Sequence, residues 1–192
     1  GPSMLNTCNG ASTYAFSGQA CYGPRATVAN YLLGAGVPEI DWAQYYEDRY
    51  DHPGWVCPKY LVIWGKDPLY SSPDGFFGHA IIDLMKRGSK VIVIDPRVTW
   101  LATRADYHLR LRPGTDTALA MAMLNVIISE ELYDKDFVDR WCYGFEELAE
   151  HVKSYDLSHV SRVCGLEADD IARAARLFAE GRTALVSGRG ID

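Results

Sequence analysis

The stretch Tyr60-Leu61-Val62-Ile63-Trp64-Gly65-Lys66-Asp67-Pro68 predicts a strand that ends in a polar loop. Its five consecutive apolar residues favour a strand covered on both faces, as in a parallel sheet. A second apolar run, Val91 to Ile94, stops at Asp95-Pro96-Arg97, and a helical pattern from Phe76 to Arg87 lies between the two runs. This order of strand, helix and strand is typical of a βαβ crossover.

A third short strand, predicted from Tyr107 to Leu111, leads into Pro113-Gly114-Thr115-Asp116. The three predicted strands therefore all end among Gly, Asp, Pro and Arg residues. These residue types hold nucleotides at the carboxyl edge of an open α/β sheet, where the carboxyl ends of parallel strands meet. We therefore expect a nucleotide site at this carboxyl edge.

The rest of the chain is predicted to be mainly helical. The helix that starts at Thr115 or Asp116 is apolar nearly all round, which predicts deep burial. Further helices are predicted at Ala26 to Leu33, Asp41 to about Tyr50, Asp134 to Cys142, Phe145 to Tyr155, Leu157 to Val163 and about Glu167 to Glu180, and a strand at Thr183 to Val186. The pattern indicates a three-layer αβα fold with a mostly parallel, open, Rossmann-like sheet and an inserted helical array.

Three regions are expected along the chain. Residues 1–3 precede Met4 and are interpreted as a protease-cleavage scar from expression. Residues 4–56 are predicted to be a loop-rich and helical lead-in, and residues 57–192 an α/β cofactor-binding domain. The last strand runs into Ser187-Gly188-Arg189-Gly190 with no helix to cover it, so we interpret the chain as part of a longer protein, truncated at its carboxyl-terminal end.

Composition narrows the class of protein. The 192 residues suffice for one domain with a full core, and 48% hydrophobic with 23% charged residues is ordinary for a globular protein. A net charge of −6 disfavours nucleic acid as a partner, because phosphate binding needs a basic face. No apolar run approaches the ~20 residues that span a bilayer. The cellular compartment is left undecided.

The five cysteines are widely spaced and include no C-x-x-C pair. This argues against a disulfide scaffold or a self-contained zinc or iron–sulfur site. Cys21 lies in a Gly- and Pro-rich loop near Arg25, and a neighbouring cation lowers the pKa of a thiol. From local chemistry alone Cys21 is either an unreactive loop cysteine or a thiolate ligand or nucleophile.

The strand ends also permit two interpretations each. The glycine fingerprint G-x-G-x-x-G is absent after the first strand, which disfavours a nicotinamide site. Asp95 could accept hydrogen bonds from ribose hydroxyls while Arg97 faces a phosphate, or the two could pair to hold the loop. At the third strand end, either Thr115 or Asp116 could cap the helix, or the Asp116 carboxylate could take the paired N–H donors of guanine.

Taken together, the motifs form an ordered set that resembles the molybdopterin oxidoreductases of the dimethyl sulfoxide reductase type. The resemblance covers about residues 15–192 and rests on Leu61–Pro68, Ile94–Arg97, Thr103–Asp106, Leu111–Leu119, Leu132–Val138, Tyr143–Phe145 and Ile171–Arg176. It implies a central α/β domain of a large catalytic subunit. Such subunits bind two molybdopterin guanine dinucleotides, which together chelate one molybdenum or tungsten.

The resemblance also implies roles for single residues. The Gly65–Pro68 loop would line the phosphate side of the cofactor, Asp95 and Arg97 its nucleoside and phosphate end, and Asp116 the guanine. The full predicted cofactor-binding set is Trp64, Gly65, Lys66, Asp67, Pro68, Ser71, Asp95, Pro96, Arg97, Gly114, Asp116 and Gly188. The metal ligand of the family lies in a loop ahead of the first strand, where Cys21 stands, so Cys21 is predicted to be the catalytic metal thiolate.

Two features depart from the family pattern. First, many members have Asn where this sequence has Asp67. Second, this sequence includes neither the amino-terminal iron–sulfur cysteines of the family nor its carboxyl-terminal cofactor-capping domain. We therefore expect the isolated chain to be inactive. Its expected partners are a small-molecule substrate, the remaining domains of the parent subunit and an iron–sulfur electron-transfer subunit.

The segment Cys21-Tyr22-Gly23-Pro24-Arg25 most resembles the branch with acetylene hydratase, pyrogallol transhydroxylase and catechol dehydroxylases. Two alternatives stay open from the sequence. One is another nucleotide-binding α/β enzyme, dependent on thiamine or nicotinamide; the other is a non-catalytic binding module.

Overall fold

The computed structural model of the protein describes residues 23–34, 43, 46–71 and 76–188. The chain divides into two compact units, residues 1–39 with residue 192, and residues 40–191. In the first unit, helix α1 (Gly23–Leu33) ends at Gly34, which has a φ of +67° and donates its N–H to the carbonyl of Asn30 at 3.1 Å. The predicted helix and its glycine cap are confirmed.

The second unit is built on a parallel sheet. Within the described residues its strands are β1 (Tyr60–Trp64), β2 (Lys90–Ile94), β3 (Tyr107–Leu109) and β4 (Thr183–Ser187). Their order is β3-β2-β1-β4, and every pair is parallel. All five residues of β1 are buried, as a central strand with both faces covered requires.

The helices of this unit lie between and after the strands. They are α2 (Pro68–Ser71), α3 (Phe76–Lys86), α4 (Asp116–Ser129), α5 (Lys135–Trp141), α6 (Phe145–Val152), α7 (Leu157–Cys164) and α8 (Ala168–Ala179), with 3₁₀ turns at Arg49–Asp51 and Ala102–Arg104. No helix in the described ranges is long and apolar enough to span a membrane.

Side chains alternate between two hydrophobic cores on either face of the sheet. Tyr60, Val62 and Trp64 of β1 pack in one core with residues of α4, α7 and α8. Leu61 and Ile63 point to the other face and pack with residues of α3. This alternation follows the two-residue period of a strand, and it confirms the predicted three-layer αβα architecture with its helical array.

Three local predictions were wrong. The segment 46–50, predicted as the end of a helix, is a turn that leads into the 3₁₀ helix Arg49–Asp51, because Arg49 has a φ of +47° that an α-helix cannot accommodate. Strand β3 ends at Leu109 rather than Leu111, because its partner strand turns away at Pro96, which has no N–H to continue the ladder. The predicted loop after β1 contains the short helix α2, with Pro68 as its first residue.

The long helix α4 is also less buried than its composition predicts. Its fully buried residues, Leu119, Ala122, Met123 and Val126, form one stripe that faces the sheet and α8. Met121, Leu124 and Ile128 are half-buried instead.

Candidate functional site

The polar strand ends meet at one edge of the sheet. Trp64, Ile94 and Ser187 are in register with one another across β1, β2 and β4. The pairing continues one residue further, because Gly65 donates its N–H to the Ile94 carbonyl at 2.9 Å and Gly188 donates to the Trp64 carbonyl at 3.0 Å. The segments after β1, β2 and β4 therefore start side by side at the carboxyl edge.

The strand order creates a crevice at this edge. The chain moves from β1 outward to β2 and β3, and it then returns to the other side of β1 as β4. Connections that leave β1 and β4 diverge at such a switch point, which is where open α/β sheets bind their ligands. The loops that line this position begin at Gly65 and Gly188.

Gly188 fits this crevice because it has no side chain. A Cβ at residue 188 would lie 2.6 Å from the Cβ of Lys66 and 2.7 Å from the carbonyl oxygen of Gly65. Both distances are shorter than van der Waals contact, so any larger residue would push the two loops apart. Gly188 is itself buried, so the absence of a side chain allows the two loops to pack directly against each other.

The loop after β1 places Asp67 with an unsatisfied carboxylate oxygen. Asp67 Oδ1 is buried and has no hydrogen-bond partner among the residues that the structure describes. The carbonyl of Asp67 is occupied, because Ser71 donates to it through both Oγ at 2.7 Å and the backbone N at 2.8 Å. Ser71 thus holds the start of α2, while Asp67 Oδ1 presents an acceptor for a ligand donor.

Asp95 and Arg97 form a tight pair after β2. Asp95 Oδ1 accepts hydrogen bonds from the backbone N of Arg97 at 2.8 Å and from its Nε at 3.1 Å, and Oδ2 accepts from Nη2 at 3.0 Å. These bonds, with the charge of Asp95, raise the pKa of Arg97 above its ordinary value. The structure therefore contains the Asp95–Arg97 pair, which was one of the two interpretations of Asp95.

Two residues of this region were missed by sequence reasoning. His108 Nε2 lies 2.9 Å from the Asp95 carbonyl oxygen, and Arg110 Nε donates to the Pro96 carbonyl at 3.0 Å. The signal was available in the predicted strand Tyr107 to Leu111, where His108 and Arg110 are two residues apart and so are expected on the same face of the sheet. Both side chains hold the backbone of the Asp95–Arg97 turn.

Asp116 is fixed by Trp64 rather than by a capping bond. The indole Nε1 of Trp64 donates to Asp116 Oδ1 at 2.8 Å, which ties the first turn of α4 to the end of β1. Thr115 occupies the cap position, but its hydroxyl donates to the Arg112 carbonyl at 2.7 Å instead. Of the two residues expected to cap this helix, Thr115 rather than Asp116 occupies the cap position, and the second oxygen of Asp116, Oδ2, has no hydrogen bond among the described residues. Gly114, just before, turns the chain with a φ of +81°.

The predicted metal ligand Cys21 and its neighbour Arg25 cannot be placed in this site. Cys21 lies outside the described residues, and nothing is described of the Arg25 side chain. Within the described ranges, no three His, Cys, Asp or Glu side chains are grouped as a metal site would require. The thiol of Cys164 is buried against α4, and this burial raises its pKa, as expected of a structural cysteine.

A surface groove of about 450 Å³ lies elsewhere in this unit, lined by residues 47–51 and by Asp83, Lys86 and Arg87. It contains none of the predicted site residues. It flanks the end of α3, just before β2 begins, and so lies at the opposite edge of the sheet.

Comparisons with known proteins bear on this arrangement. The family model described as molybdopterin oxidoreductase matches residues 4–191. The assimilatory nitrate reductase catalytic subunit of Bacillus subtilis is 39% identical over 183 residues, which cover 92% of this chain and 24% of the relative. This chain belongs to the molybdopterin oxidoreductase family.

Acetylene hydratase is similar both in sequence and in structure. The enzyme of Syntrophotalea acetylenica is 55% identical over 95 residues, covering 50% of this chain and 13% of the relative. The solved structure of acetylene hydratase from Pelobacter acetylenicus superposes with a TM-score of 0.65 at 40% identity, over 70% of this chain and 19% of that chain. The chain thus spans between about an eighth and a quarter of these relatives.

Family membership decides against the thiamine and nicotinamide alternatives and implies a molybdopterin cofactor with molybdenum or tungsten. The residues at the carboxyl edge fit part of such a group. A buried acceptor at Asp67 and an exposed cation at Arg97 suit a polar, phosphorylated ligand.

Proposed function

We propose that this chain is the α/β cofactor-binding domain of a molybdenum or tungsten enzyme, and that its carboxyl edge binds the nucleotide end of molybdopterin guanine dinucleotide. One observation carries the proposal. The strand ends bring the exposed Arg97 guanidinium, the close contact between Gly188 and the Gly65–Lys66 loop, and the fixed Asp116 carboxylate to the carboxyl edge of one parallel sheet. No single strand end would support it.

Each residue has a distinct proposed task. Arg97 attracts a phosphate group, and the Gly65–Pro68 loop lines the phosphate side of the same ligand. Asp116 uses the oxygen that Trp64 leaves free to accept from the guanine N–H donors. Asp67 accepts from a donor of the cofactor, since a buried carboxylate oxygen without a partner is costly. These residues bind and orient the cofactor; they do not react.

When bound, the metal centre supplies redox or oxygen- and hydroxyl-transfer chemistry on a small substrate. Cys21 is the proposed metal thiolate, on the basis of the family resemblance. For the longer protein, we also propose a second copy of the cofactor, an iron–sulfur cluster and a further electron-transfer subunit. Several relatives are subunits by name, among them the thiosulfate reductase molybdopterin-containing subunit of Salmonella typhimurium.

Within the family, the similarity to acetylene hydratase favours that branch. The identity of 55% over half of this chain exceeds the 39% shared with the nitrate reductase subunit. We therefore propose that the parent enzyme belongs to the branch that the Cys21–Arg25 segment also resembles.

The metal and pterin content of the longer parent protein tests the function. We expect molybdenum or tungsten together with pterin, and we expect the metal content to fall in Cys21→Ser. A parent that is purified with an intact iron–sulfur cluster but carries neither metal would contradict the proposal. Unchanged metal and turnover in Cys21→Ser would exclude Cys21 as the ligand while leaving the cofactor assignment standing.

A further inference from the structure

The Asp95 carboxylate is enclosed by the turn that follows β2. Its side chain is only 2% exposed, whereas the side chain of Arg97 is 65% exposed. Oδ1 already accepts two hydrogen bonds and Oδ2 accepts one, and all three come from Arg97. A ribose hydroxyl would have to reach a carboxylate that is both buried and occupied.

Arg97, by contrast, keeps unused donors on its outer side. A guanidinium has five N–H donors in a rigid fork. Nε and one N–H of Nη2 bind Asp95, which leaves both N–H groups of Nη1 and the second of Nη2. Among the described residues, none of these three donates a hydrogen bond. The exposed edge of the fork is therefore aimed at solvent and suits a phosphate oxygen.

The backbone of the turn is held from the neighbouring strand. The Asp95 N–H donates to the Leu109 carbonyl at 3.2 Å, the last backbone bond between β2 and β3. Beyond it, the carbonyls of Asp95 and Pro96 are held by the side chains of His108 and Arg110. The position of Arg97 is thus preset before any ligand binds, which lowers the entropy cost of binding.

We propose that Asp95 is a positioning residue that holds Arg97 for a phosphate group and makes no contact with ribose. This inference rests on the proposed function and changes one part of it, because an acidic residue at this place of a βαβ unit commonly binds ribose hydroxyls. Here the carboxylate acts on the nucleotide only through the guanidinium.

A ligand comparison tests this without altering the protein. Isothermal titration of the full chain with guanosine 5′-diphosphate (GDP) and with its 2′,3′-dideoxy analogue should give affinities that agree within about twofold, since no ribose hydroxyl is bound by Asp95. A direct contact with a buried carboxylate would cost the analogue about tenfold or more. That larger loss would overturn the inference.

Protein variants test the route through Arg97. Asp95→Asn and Arg97→Gln should each weaken GDP binding by about tenfold, leave guanosine binding unchanged, and show no further loss when combined. Arg87→Gln is the matched control, because Arg87 forms a similar two-pronged pair with Asp51 at the opposite edge of the sheet. It should leave GDP binding unchanged.

The outcomes separate this inference from the function on which it rests. Equal losses of GDP and guanosine binding in Asp95→Asn, or additive losses in the double variant, would overturn the positioning role while leaving the nucleotide site intact. A wild-type chain that binds neither ligand would contradict the proposed function, and the positioning role with it.

Discussion

Trp64 and Asp116 show how single residues fix this site. The indole of Trp64 is almost fully buried in the core beneath α4, and its one N–H reaches the carboxylate at the start of that helix. The bond therefore joins the end of a strand to the start of a helix that lies 52 residues later in the chain. It orients the carboxylate that we propose for guanine.

Replacing Trp64 by Phe should remove this bond while keeping an aromatic ring in the core. Because a hydrogen bond to a charged group is lost, we expect the free energy of unfolding to fall by about 1–3 kcal/mol in urea denaturation. The control is Trp100→Phe, since Trp100 is 45% exposed and Phe keeps an aromatic ring for the contact with Arg104. A Trp64→Phe protein as stable as the control would show that the bond contributes nothing.

At this scale, the sequence predicted which residues lie at the carboxyl edge but not what they bind. Asp95, Arg97 and Asp116 were expected there because they follow predicted strands. Whether Asp95 faces a ligand or Arg97 depends on side-chain rotamers and burial, and these follow from the packing of β3, which sequence periodicity does not contain.

At the scale of elements, the loops that follow β1 and β4 approach each other closely at Gly65, Lys66 and Gly188. The strands themselves were predicted correctly, because continuous apolar runs bounded by Gly and Pro leave little choice of structure. The close approach of the two loops was not predictable, since it depends on which strands become neighbours.

Gly188→Ala should separate these loops. The added Cβ would lie well inside contact distance of Lys66 and Gly65, so we expect a loss of about 1–3 kcal/mol in the free energy of unfolding and weaker GDP binding. Gly88→Ala is the control for GDP binding, because open space surrounds Gly88 at the opposite edge and the substitution strains only its own backbone, which has a φ of +99°. It should leave GDP binding unchanged. Calorimetry that finds the same GDP affinity in Gly188→Ala as in the wild type would contradict the close approach.

The helical array is tied to the sheet-facing helix by a salt bridge that acid should break. Arg176 of α8 donates through Nε and Nη2 to Glu130, just after α4, at 2.8 and 2.7 Å. These hydrogen bonds lower the pKa of Glu130 below its ordinary value.

Because the pKa of Glu130 is lowered in the folded state, ionised Glu130 stabilises the protein at pH values above the ordinary carboxyl pKa. This stabilisation is lost as the pH falls through the lowered pKa. We therefore expect the melting temperature of the wild type to drop more between pH 6 and pH 3 than that of Glu130→Gln. Parallel curves for the two proteins would show that the salt bridge does not contribute in solution.

At the scale of the whole molecule, the parallel sheet and its switch point explain why weak local motifs converge on one site. The family match and the structural similarity to acetylene hydratase agree with the architecture that the strand and helix pattern predicted. The predicted metal ligand Cys21 lies outside the described residues, and the sequence around it has no periodicity from which its position could be predicted.

The affinity of the full chain for GDP, measured by calorimetry in the wild type and in Asp116→Ala, tests the central claim most directly. We predict that GDP binds more tightly than ADP to the wild type, because only guanine offers paired N–H donors to a carboxylate. Asp116→Ala should lose this preference. The control Asp106→Ala should keep it, because the Asp106 carboxylate accepts from the Val91 N–H at the other edge of the sheet. Equal binding of GDP and ADP by the wild type, or an unchanged preference in Asp116→Ala, would contradict the account.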